Sequence, residues 1–480
     1  MGCYNRLMDF DQIAKILQNN CQVIKSQPIL AGVSGGPDSL CLLSILYEMG
    51  YSVIAAHVNH HLRTEAEEEA NRVQQFCHDR NLPFILFNVD VATFSVENKL
   101  SVEESARILR YQKLMAAAKE TSAQALAVAH QADDQIETML MHLLRGSGMS
   151  GLKAMSYRSF NSAFSTEIPI IRPLLGVWRS EIEEYCISRE ITPSYDQSNN
   201  DQTYLRNRIR HELVPMLNTY NVQASQHLWQ LSQLVGAEDD LLNHYSENLL
   251  KKVVVEQGNG YFVLSQEDFK NSAVALKRRM TRSLLGSLNT NLRDIGYEPV
   301  ENVIKFLTEP DTSGEWQILE NTRITRLNQK NALLFTDYAE LGSIWPLIER
   351  EINLETPSIT RIQLNPHWYL EIEIVEKDQV CIDSNNRLAY FDMDSLSSVL
   401  QICTWTKGEN FRPYGMGQRS IKIGDFFTNN HVPLRARDQW PLLKMDGEIL
   451  WIIGMRRSEI ASITQSTRRV LKLNLVKAKK

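Results

Sequence analysis

Short apolar runs alternate with longer segments of helical period through the first 145 residues of the chain. Each run is apolar throughout, which is typical of strands that are covered on both faces. The runs lie at 29–33, 53–56, 84–87 and 125–129. This rhythm predicts an α/β fold with a doubly wound, mainly parallel sheet, in which ligands bind at the carboxyl ends of the strands.

The pattern changes twice farther along the chain. Long amphipathic segments with few strand signals begin near residue 215, at 223–250 and 265–288, and they predict a helical middle domain. Short alternating runs begin at about residue 352, and they predict a small mixed α/β C-terminal domain. The predicted domains are residues 1–218, 219–345 and 353–480.

Hydropathy and cysteine spacing argue against several classes of protein. No run approaches the ~18 consecutive apolar residues that a membrane span needs, and no apolar export segment follows the first residues. The seven cysteines are scattered, and no two are separated by only two residues, which argues against a disulfide framework or a zinc ribbon. We therefore expect a cytoplasmic protein without a membrane partner.

Charge is distributed unevenly along the chain. The net charge of -6 would argue against a nucleic-acid partner if it were spread evenly. However, residues 401–480 hold 15 lysines and arginines against 6 aspartates and glutamates, whereas the first 400 residues carry a net charge of -15. A basic terminal module therefore follows an acidic body. Charge alone favours polyanion binding and a solvated surface equally.

A glycine-rich turn follows the first predicted strand and leads into a helix. Glycines let backbone amides approach a phosphate closely, and the start of a helix adds unsatisfied N–H groups. The turn fits neither the Walker loop nor the dinucleotide fingerprint. On its own, such a turn is more often structural than functional. Its residues are Ser34, Gly35, Gly36, Pro37, Asp38 and Ser39.

The order Ser-Gly-Gly-x-Asp-Ser directly after an apolar strand resembles the PP-loop family of ATP pyrophosphatases. The resemblance implies a Rossmann-like catalytic domain that binds ATP through these six residues and transfers AMP to a substrate oxygen. The amides of Gly35 and Gly36, with the hydroxyls of Ser34 and Ser39, would hold the pyrophosphate that leaves. Asp38, a carboxylate beside several phosphates, is expected to bind Mg²⁺ and to act in catalysis.

Segments along nearly the whole chain are similar to one branch of that family, the bacterial tRNA(Ile)-lysidine synthetases. The most diagnostic of them is Asp-Gln-Ser-Asn-Asn-Asp at 196–201 together with 204–211. One departure is His61, which stands where we expect glycine. The similar segments are 56–63, 105–111, 130–138, 145–152, 196–211 and 408–440.

Acidic residues at the start of one predicted helix are candidate catalytic groups. The helix begins near residue 133 and carries Asp134 and Glu137 on adjacent turns, with His130 at its entrance. Acids in a first turn are usually caps that favour the helix dipole. Because they are predicted to lie at the same sheet edge as the phosphate loop, these three side chains become candidates for metal binding, base recognition and proton handling.

Arginines in two of the similar segments are further candidates. Arg107 and Arg110 stand at i and i+3 on a predicted helix, a spacing that suits a phosphate clamp or a solvated stripe. Arg206, Arg208 and Arg210 would share a face in a strand and fan out in a helix. The resemblance assigns Arg110 and Arg208 to the phosphate or to developing charge, and Arg206 and Arg210 to RNA.

Aromatic residues interleave with arginine and lysine in the basic terminal module. This mixture suits RNA, where unstacked bases and phosphates are contacted together. Packing around Trp440 and Trp451 is the competing explanation for the aromatic residues. The candidates for gripping the tRNA are Arg412, Arg419, Lys422, Arg435 and Arg437.

The resemblance implies one reaction. The enzyme would adenylate the C2 oxygen of the wobble cytidine of tRNA(Ile) with a CAU anticodon, and free L-lysine would displace AMP to leave lysidine. The alternatives are another PP-loop ligase, such as a tRNA thiolase or an amidotransferase, and a noncatalytic RNA-binding protein. Missing Cys-x-x-Cys pairs oppose the thiolase, and no glutaminase-like segment supports the amidotransferase. A homodimer is compatible with the sequence, which determines neither the oligomeric state nor the lysine pocket.

Overall fold

The structure, a computed structural model, divides into two compact units, Met1–Leu241 and Leu242–Lys480. The three-domain division drawn from the hydrophobic pattern stays a prediction. Within the described residues, no helix is long and apolar enough to cross a membrane. The described residues are 8–62, 66–161, 163–194, 205–289, 295–310, 312, 314–355, 360–380, 385–397, 399–417, 419–430 and 432–478.

A six-stranded sheet is the centre of the first unit. Its strands are β1 (Ile29–Gly32), β2 (Val53–Asn59), β3 (Phe84–Asn88), β4 (Ala125–Ala127), β5 (Arg158–Asn161) and β6 (Ser165–Ile171). Their order across the sheet is β3-β2-β1-β4-β6-β5, and every neighbouring pair is parallel except β5 with β6. The predicted mainly parallel sheet is confirmed, and the four apolar runs form β1 to β4.

The helices of this unit lie before, between and after the strands. They are α1 (Phe10–Lys15), α2 (Pro37–Glu48), α3 (Ala66–His78), α4 (Val91–Asn98), α5 (Val102–Glu120), α6 (Ala132–Leu144), α7 (Met149–Leu152), α8 (Arg179–Ser188), α9 (Leu205–Arg208), α10 (Val214–Tyr220) and α11 (Ala224–Val253). π-helical turns follow α1 and α9, at Ile16–Asn20 and Ile209–Leu213. The boundary between the two units falls within α11.

Helices cover both faces of the sheet, because side chains alternate along each strand. On β1, Ile29 and Ala31 join the core that contains α2, whereas Leu30 joins the core that contains Tyr111 and Leu114 of α5. A fully buried leucine or isoleucine contributes ~1.5–3 kcal/mol relative to exposure. The loops that follow the parallel strands therefore meet at one edge, with α2 on one face of the sheet and α5 on the other.

A smaller apolar cluster holds α6 against the helices that follow it. Ile136 and Leu140 of α6 pack with the buried Ile209, and Leu217 of α10 and Trp229 of α11 pack against them. This cluster holds the α9 segment beside the first turns of α6. The arginines of that segment are thereby brought to the acids of α6.

The second unit begins with a helical region that also contains a sheet. Its helices, α12 (Gln266–Lys270), α13 (Val274–Leu288) and α14 (Tyr297–Thr308), confirm the predicted helical middle region. The pattern did not predict the antiparallel sheet of order β7-β8-β11-β10-β9. Its strands are five or six residues long, and three of them, β7, β9 and β10, mix charged with apolar residues, so only β8 and β11 carry a continuous apolar run. They are β7 (Val254–Gly258), β8 (Tyr261–Ser265), β9 (Glu315–Leu319), β10 (Thr322–Arg326) and β11 (Asn331–Thr336).

The rest of the second unit is built on antiparallel sheets with two short helices, as the sequence predicts. One sheet has the order β12-β16-β19-β20-β21, another β13-β14-β22-β15, and β17 pairs with β18. The strands are β12 (Ile352–Glu355), β13 (Arg361–Asn365), β14 (Trp368–Glu376), β15 (Leu388–Asp392), β16 (Val399–Cys403), β17 (Asn410–Phe411), β18 (Ile421–Lys422), β19 (Leu442–Met445), β20 (Glu448–Ile452), β21 (Arg456–Arg457) and β22 (Arg469–Lys477). The helices are α15 (Ile423–Asn429) and α16 (Leu434–Arg437).

Candidate active site

The glycine-rich turn joins β1 to α2 at the carboxyl edge of the sheet. The hydroxyl of Ser39 accepts hydrogen bonds from the amides of Ser34 and Gly35, at 3.1 and 3.2 Å, and donates to the carbonyl of Gly36 at 3.0 Å. Gly36 caps α2 without a side-chain acceptor, and Pro37 is the first helical residue. The first amides of the helix are therefore open to an anion, which is the arrangement that a phosphate group needs.

Gly35 occupies a position that other residues fit poorly. Its φ of +88° lies in the left-handed region, and a Cβ there would lie 3.2 Å from Cγ2 of Val73. Its carbonyl accepts from the amide of Ser194 at 2.9 Å. Within the described residues, the buried hydroxyl of Ser194 has no hydrogen-bond partner. Ser194 is thus a polar group at the phosphate loop that sequence reasoning missed.

Asp38 lies in the first turn of α2 with one carboxylate oxygen buried. In the described part of the chain, that oxygen, Oδ1, has no hydrogen-bond partner. Burial, followed by the charge of Asp134, raises the pKa of Asp38 to about 6. A carboxylate in this position fits a cation, and Mg²⁺ prefers oxygen ligands. No group of three metal-binding side chains lies among the described residues. Asp38 would be one oxygen ligand of a Mg²⁺ ion that binds together with phosphates.

Two acids of α6 and two arginines of the α9 segment form a four-residue group, the acid–arginine cluster. Glu137, which is 1% exposed, accepts from Nε of Arg210 at 2.5 Å and from Nε of Arg206 at 2.8 Å. Asp134 Oδ1 accepts from the same two guanidinium groups, at 3.3 and 2.9 Å. Burial lowers the pKa of Arg210, but the hydrogen bond and charge of Glu137 outweigh it, and the net pKa is raised. The carboxylates therefore face cations, and not solvent alone.

Helix capping explains only part of this arrangement. Asp134 Oδ2 accepts from the amide of Gln131 at 3.1 Å, while Gln131 Oε1 accepts from the amide of Asp133 at 2.6 Å, which is a capping box. The amide of Arg179 donates to Asp133 at 3.0 Å. Glu137 lies beyond the reach of the cap. Its burial against two arginines is therefore specific to the cluster.

The three alternating arginines lie on a helix, so they fan out. Arg206 and Arg210 stand at i and i+4 and share the face that meets α6. Arg208 lies on the opposite side, where its exposed side chain reaches Glu212 at 3.7 Å. The positions of these three arginines differ from those expected from the sequence. It brings Arg206 and Arg210, expected at RNA, to the acids, and it leaves Arg208, expected at the reaction centre, at the surface.

Cations surround His130 at the end of β4. Its Nδ1 is buried and has no hydrogen-bond partner within the described residues. Burial, then the charges of Arg172, Arg206, Arg110 and Arg107, lowers the pKa of His130 to about 3. The imidazole is consequently neutral at pH 7. It suits hydrogen bonding to a ligand better than it suits proton uptake.

The low pKa of His130 predicts a pH dependence of stability. The unfolded chain binds a proton at this residue near pH 6.5, whereas the folded chain does so only near pH 3. The folded state therefore binds fewer protons in this window, and stability falls as the pH drops from 6.5. We expect His130→Gln to reduce the slope of unfolding free energy against pH between 6 and 4 by about 1 kcal/mol per pH unit. Urea unfolding at several pH values measures the slope, and an unchanged slope would contradict the assignment.

A histidine-rich turn ends β2 beside the phosphate loop. His57 Nδ1 donates to the carbonyl of Val33 at 2.8 Å and so ties β2 to the end of β1. Burial, followed by the charge of Arg110, lowers the pKa of His60 to about 4. A cavity of about 350 Å³ opens beside this turn, lined by His60, His61, Leu62 and residues 88–92.

His61 adopts a backbone conformation that favours glycine, with φ +50°. Its amide donates to Asn59 Oδ1, and its Nε2 contacts Asn88 Oδ1, both at 2.9 Å. We expect His61→Gly to be more stable than His61→Ala by about 1 kcal/mol, because both lose the ring contact but only alanine keeps the strained φ. Thermal denaturation of the two variants measures this difference, and equal stabilities would contradict it.

The basic candidates of the terminal module fall into two groups. Arg412, Arg419 and Lys422 are exposed. Arg435 donates to the carboxylate of Asp337 at 2.6 Å, and Arg437 is half-buried and donates to the carbonyl of Val432 at 2.9 Å. The charges of the first group are accessible to a polyanion, whereas the guanidinium groups of the second are engaged within the protein.

Several polar residues at the sheet edge were not singled out from the sequence. Arg172 follows β6, and its position could have been found by the strand-end rule if β6 had been recognised. Asp133 and Arg179 are distant in the sequence, and the fold brings the amide of Arg179 to the carboxylate of Asp133. The diagnostic segment 196–201 and Tyr204 lie outside the described residues.

Comparisons with known proteins identify the family of this chain. Family models match residues 8–217, as a PP-loop domain, and residues 400–473, as the TilS substrate C-terminal domain. The tRNA(Ile)-lysidine synthase of Dehalococcoides mccartyi is 32% identical over 96% of this chain and 98% of its own length. That of Geobacter sulfurreducens is 31% identical over 92% and 91%, and that of Clostridium acetobutylicum 28% identical over 97% and 99%. The resemblance seen in the sequence is confirmed.

The similarity to these relatives extends over nearly the whole chain and is not limited to one shared domain. The first family match contains both the phosphate loop and the acid–arginine cluster, and the second lies within the basic terminal module. The relatives align over both units of the chain, so the combination of a PP-loop domain with the terminal module is itself shared. The chain therefore belongs to the tRNA(Ile)-lysidine synthase family of ATP-using PP-loop ligases.

Proposed function

We propose that this protein ligates L-lysine to C2 of the wobble cytidine of tRNA(Ile) with a CAU anticodon, at the expense of ATP. The products are lysidine in the tRNA, AMP and pyrophosphate. The reaction belongs to the cytoplasm, where tRNA, ATP and free lysine occur together. We expect a homodimer, and light scattering of the purified protein measures its mass.

One observation carries this proposal. Buried polar atoms without partners within the described residues occur after β1, β2 and β4 and at Ser194, whose amide donates to Gly35 of the phosphate loop: Asp38 Oδ1, His60 Nδ1, His130 Nδ1 and Ser194 Oγ. Buried polar groups in folded proteins normally have hydrogen-bond partners. A polar ligand at this edge supplies them. ATP with its metal ion fits, because the phosphate loop stands beside Asp38 and Ser194.

The first step activates the base. The C2 oxygen of cytidine attacks the α-phosphorus of ATP, and the bond between the α- and β-phosphates breaks. The amides of Gly35 and Gly36, with Ser34 and Ser39, hold the pyrophosphate that leaves. Asp38 would hold a Mg²⁺ ion, which would supply neutralisation of phosphate charge. The step turns a stable carbonyl carbon into an electrophile, since oxygen that carries AMP is a good leaving group.

The second step joins lysine to the base. The neutral ε-amine attacks C2, and AMP leaves with the former C2 oxygen. The amine loses a proton on attack, and Asp134 and Glu137 are the carboxylates that bind the ammonium group and accept its proton. Arg206 and Arg210 hold these acids in place and balance their charge when the site is empty. His130, as a neutral imidazole, orients a ligand by hydrogen bonding.

The test is lysine transfer itself. The full-length protein is incubated with a tRNA(Ile) transcript, ATP and radiolabelled lysine, and a transcript with a GAU anticodon serves as the control. We expect ATP-dependent label in the CAU transcript alone, together with AMP and pyrophosphate. If neither transcript is labelled although pyrophosphate is released, another PP-loop ligase reaction is favoured. If no pyrophosphate is released, a noncatalytic RNA-binding protein is favoured.

The exposed basic residues of the terminal module predict the salt dependence of tRNA binding. Replacing Arg412 and Lys422 together by alanine should weaken binding and reduce the slope of log affinity against log salt by about 1–2, because each phosphate contact releases counterions. Filter binding at several salt concentrations measures the slope. Arg435→Ala, whose charge is shared with Asp337, should change it less. A slope unchanged in the double variant would remove this surface from the RNA interface.

A further inference from the structure

Three arginines on the α5 face of the sheet edge form a second basic site, the arginine group of Arg107, Arg110 and Arg172. Both helical members flank the ring of Tyr111, with guanidinium carbons 5.3 Å (Arg107) and 5.6 Å (Arg110) from its centroid. Arg172 lies at the end of β6, where its Nη1 donates to the carbonyl of Ser156 and to Oγ of Ser159, each at 2.9 Å. The three side chains come from two elements but act on one another electrostatically.

This group lacks the counter-ions that the acid–arginine cluster has. In the described part of the chain, none of its three members forms an ion pair with a carboxylate, and Nε of Arg172 is buried without a hydrogen-bond partner. Burial lowers the pKa of Arg172, which is half-buried, and this reflects the cost of charge among protein atoms. Arg107 and Arg110 keep solvent exposure, so a small anion can reach them.

Arginines of both groups act electrostatically on His130. Its imidazole senses Arg206 of the acid–arginine cluster and all three members of the arginine group. Asp134 and Glu137 supply carboxylates in the acid–arginine cluster, whereas the guanidinium groups of the arginine group form no ion pair within the described residues. Free lysine carries the matching charges, an ammonium group at each amine and a carboxylate at its α-carbon.

We propose that Arg107, Arg110 and Arg172 bind the α-carboxylate of the lysine substrate and thereby select an amino acid over a simple amine. This inference rests on the proposed function. Arginine suits the role, because its planar fork binds a carboxylate through two parallel hydrogen bonds. Arg107 and Arg172, which the family resemblance did not assign, become specificity residues.

The position of the group argues against the other anions of the reaction. The phosphate loop leads into α2, which packs on the opposite face of the sheet from α5, so pyrophosphate has its own donors. A phosphodiester of the tRNA continues in two directions and needs an open surface. Arg172 is half-buried at a strand end, and one of its nitrogens is already bound to the 156–159 segment. A terminal carboxylate, such as the α-carboxylate of free lysine, fits such a recess.

Cadaverine, which is lysine without its carboxylate, tests the inference. With full-length protein, tRNA(Ile) and ATP, we expect kcat/KM for cadaverine to be roughly 10- to 100-fold below that for lysine. Arg107→Gln and Arg172→Lys should each lower kcat/KM for lysine by about tenfold, chiefly through KM, and leave the value for cadaverine unchanged. Pyrophosphate release without lysine should stay at the wild-type rate. Lys113→Gln, which removes an exposed charge from the same helix, is the control and should match the wild type.

The outcomes separate this inference from the proposed function. If the wild-type protein uses lysine and cadaverine equally, or if the variants lose both amines in the same proportion, the arginine group does not bind the carboxylate. An equal loss with a raised KM for tRNA would assign it to RNA phosphates, and slower pyrophosphate release would assign it to the adenylate. If the wild type releases no pyrophosphate, the proposed function itself fails. Should Arg172→Lys not fold, Arg107→Gln, at an exposed helix position, decides the question.

Discussion

Replacing Asp38 by alanine is expected to slow tRNA-dependent pyrophosphate release by about 10²–10³-fold, the loss that follows when one preorganised electrostatic group is removed from an active site. Asp38 holds a buried oxygen without a partner among the described residues beside the phosphate loop, so its loss removes charge at the position where phosphates gather. Binding of tRNA should change little, because the exposed basic residues of the terminal module are untouched. A pyrophosphate-release assay and filter binding measure the two quantities.

Two further variants make this result specific. Asp38→Asn keeps the size of the side chain and should be nearly as slow as Asp38→Ala, since the charge is what is lost. Asp11→Asn, at an exposed acid in the first turn of α1, should retain the wild-type rate. Parallel loss of tRNA binding and pyrophosphate release in Asp38→Ala would show a folding defect, and wild-type turnover would exclude Asp38 from the reaction.

Replacing Glu137 by glutamine is expected to destabilise the first unit by about 3–5 kcal/mol, the cost of removing one partner from a buried ion pair. The side chain of Glu137 is 2% exposed and accepts from both Arg206 and Arg210, which would be left with Asp134 as the only acid of the cluster. Urea unfolding of the full chain measures the change. Lysine transfer should also be lost, because the proposed ammonium site loses a charge.

A surface ion pair on the neighbouring helix gives the comparison. Glu183 and Arg179 pair at 3.0 Å with side chains 45% and 36% exposed, so Glu183→Gln should cost less than 1 kcal/mol. The double variant Glu137→Gln with Arg210→Gln should recover part of the stability, since Asp134 then balances one arginine in place of two. Equal losses of unfolding free energy in Glu137→Gln and Glu183→Gln would contradict the assignment of Glu137 to a buried ion-pair cluster.

The sheet and its ligand-binding edge could be predicted from the sequence because their signals are local. Continuous apolar runs mark β1 to β4, and the order Ser-Gly-Gly-x-Asp-Ser marks the turn after β1. β6 was not recognised, because it begins with Ser, Thr and Glu and only its last residues are buried. Arg172 at its end was missed for the same reason.

The contacts that define the candidate site are long-range, and local patterns do not contain them. Arg206 and Glu137 are 69 residues apart, and their pairing depends on the apolar cluster that holds the α9 segment against α6. The sequence left the strand and helix alternatives for the arginine triplet open, and only the helix separates Arg208 from Arg206. Likewise, Arg435 looks like a free cation in the sequence, but Asp337, from a distant strand end, neutralises it.

The identity of the nucleotide products tests the central claim most directly. The full-length protein is incubated with tRNA(Ile), lysine and ATP labelled separately at the α- and γ-phosphates, and the products are resolved by chromatography. The account predicts AMP and pyrophosphate in equal amounts, one of each for every lysine joined to the tRNA. ADP and orthophosphate as the products would contradict it.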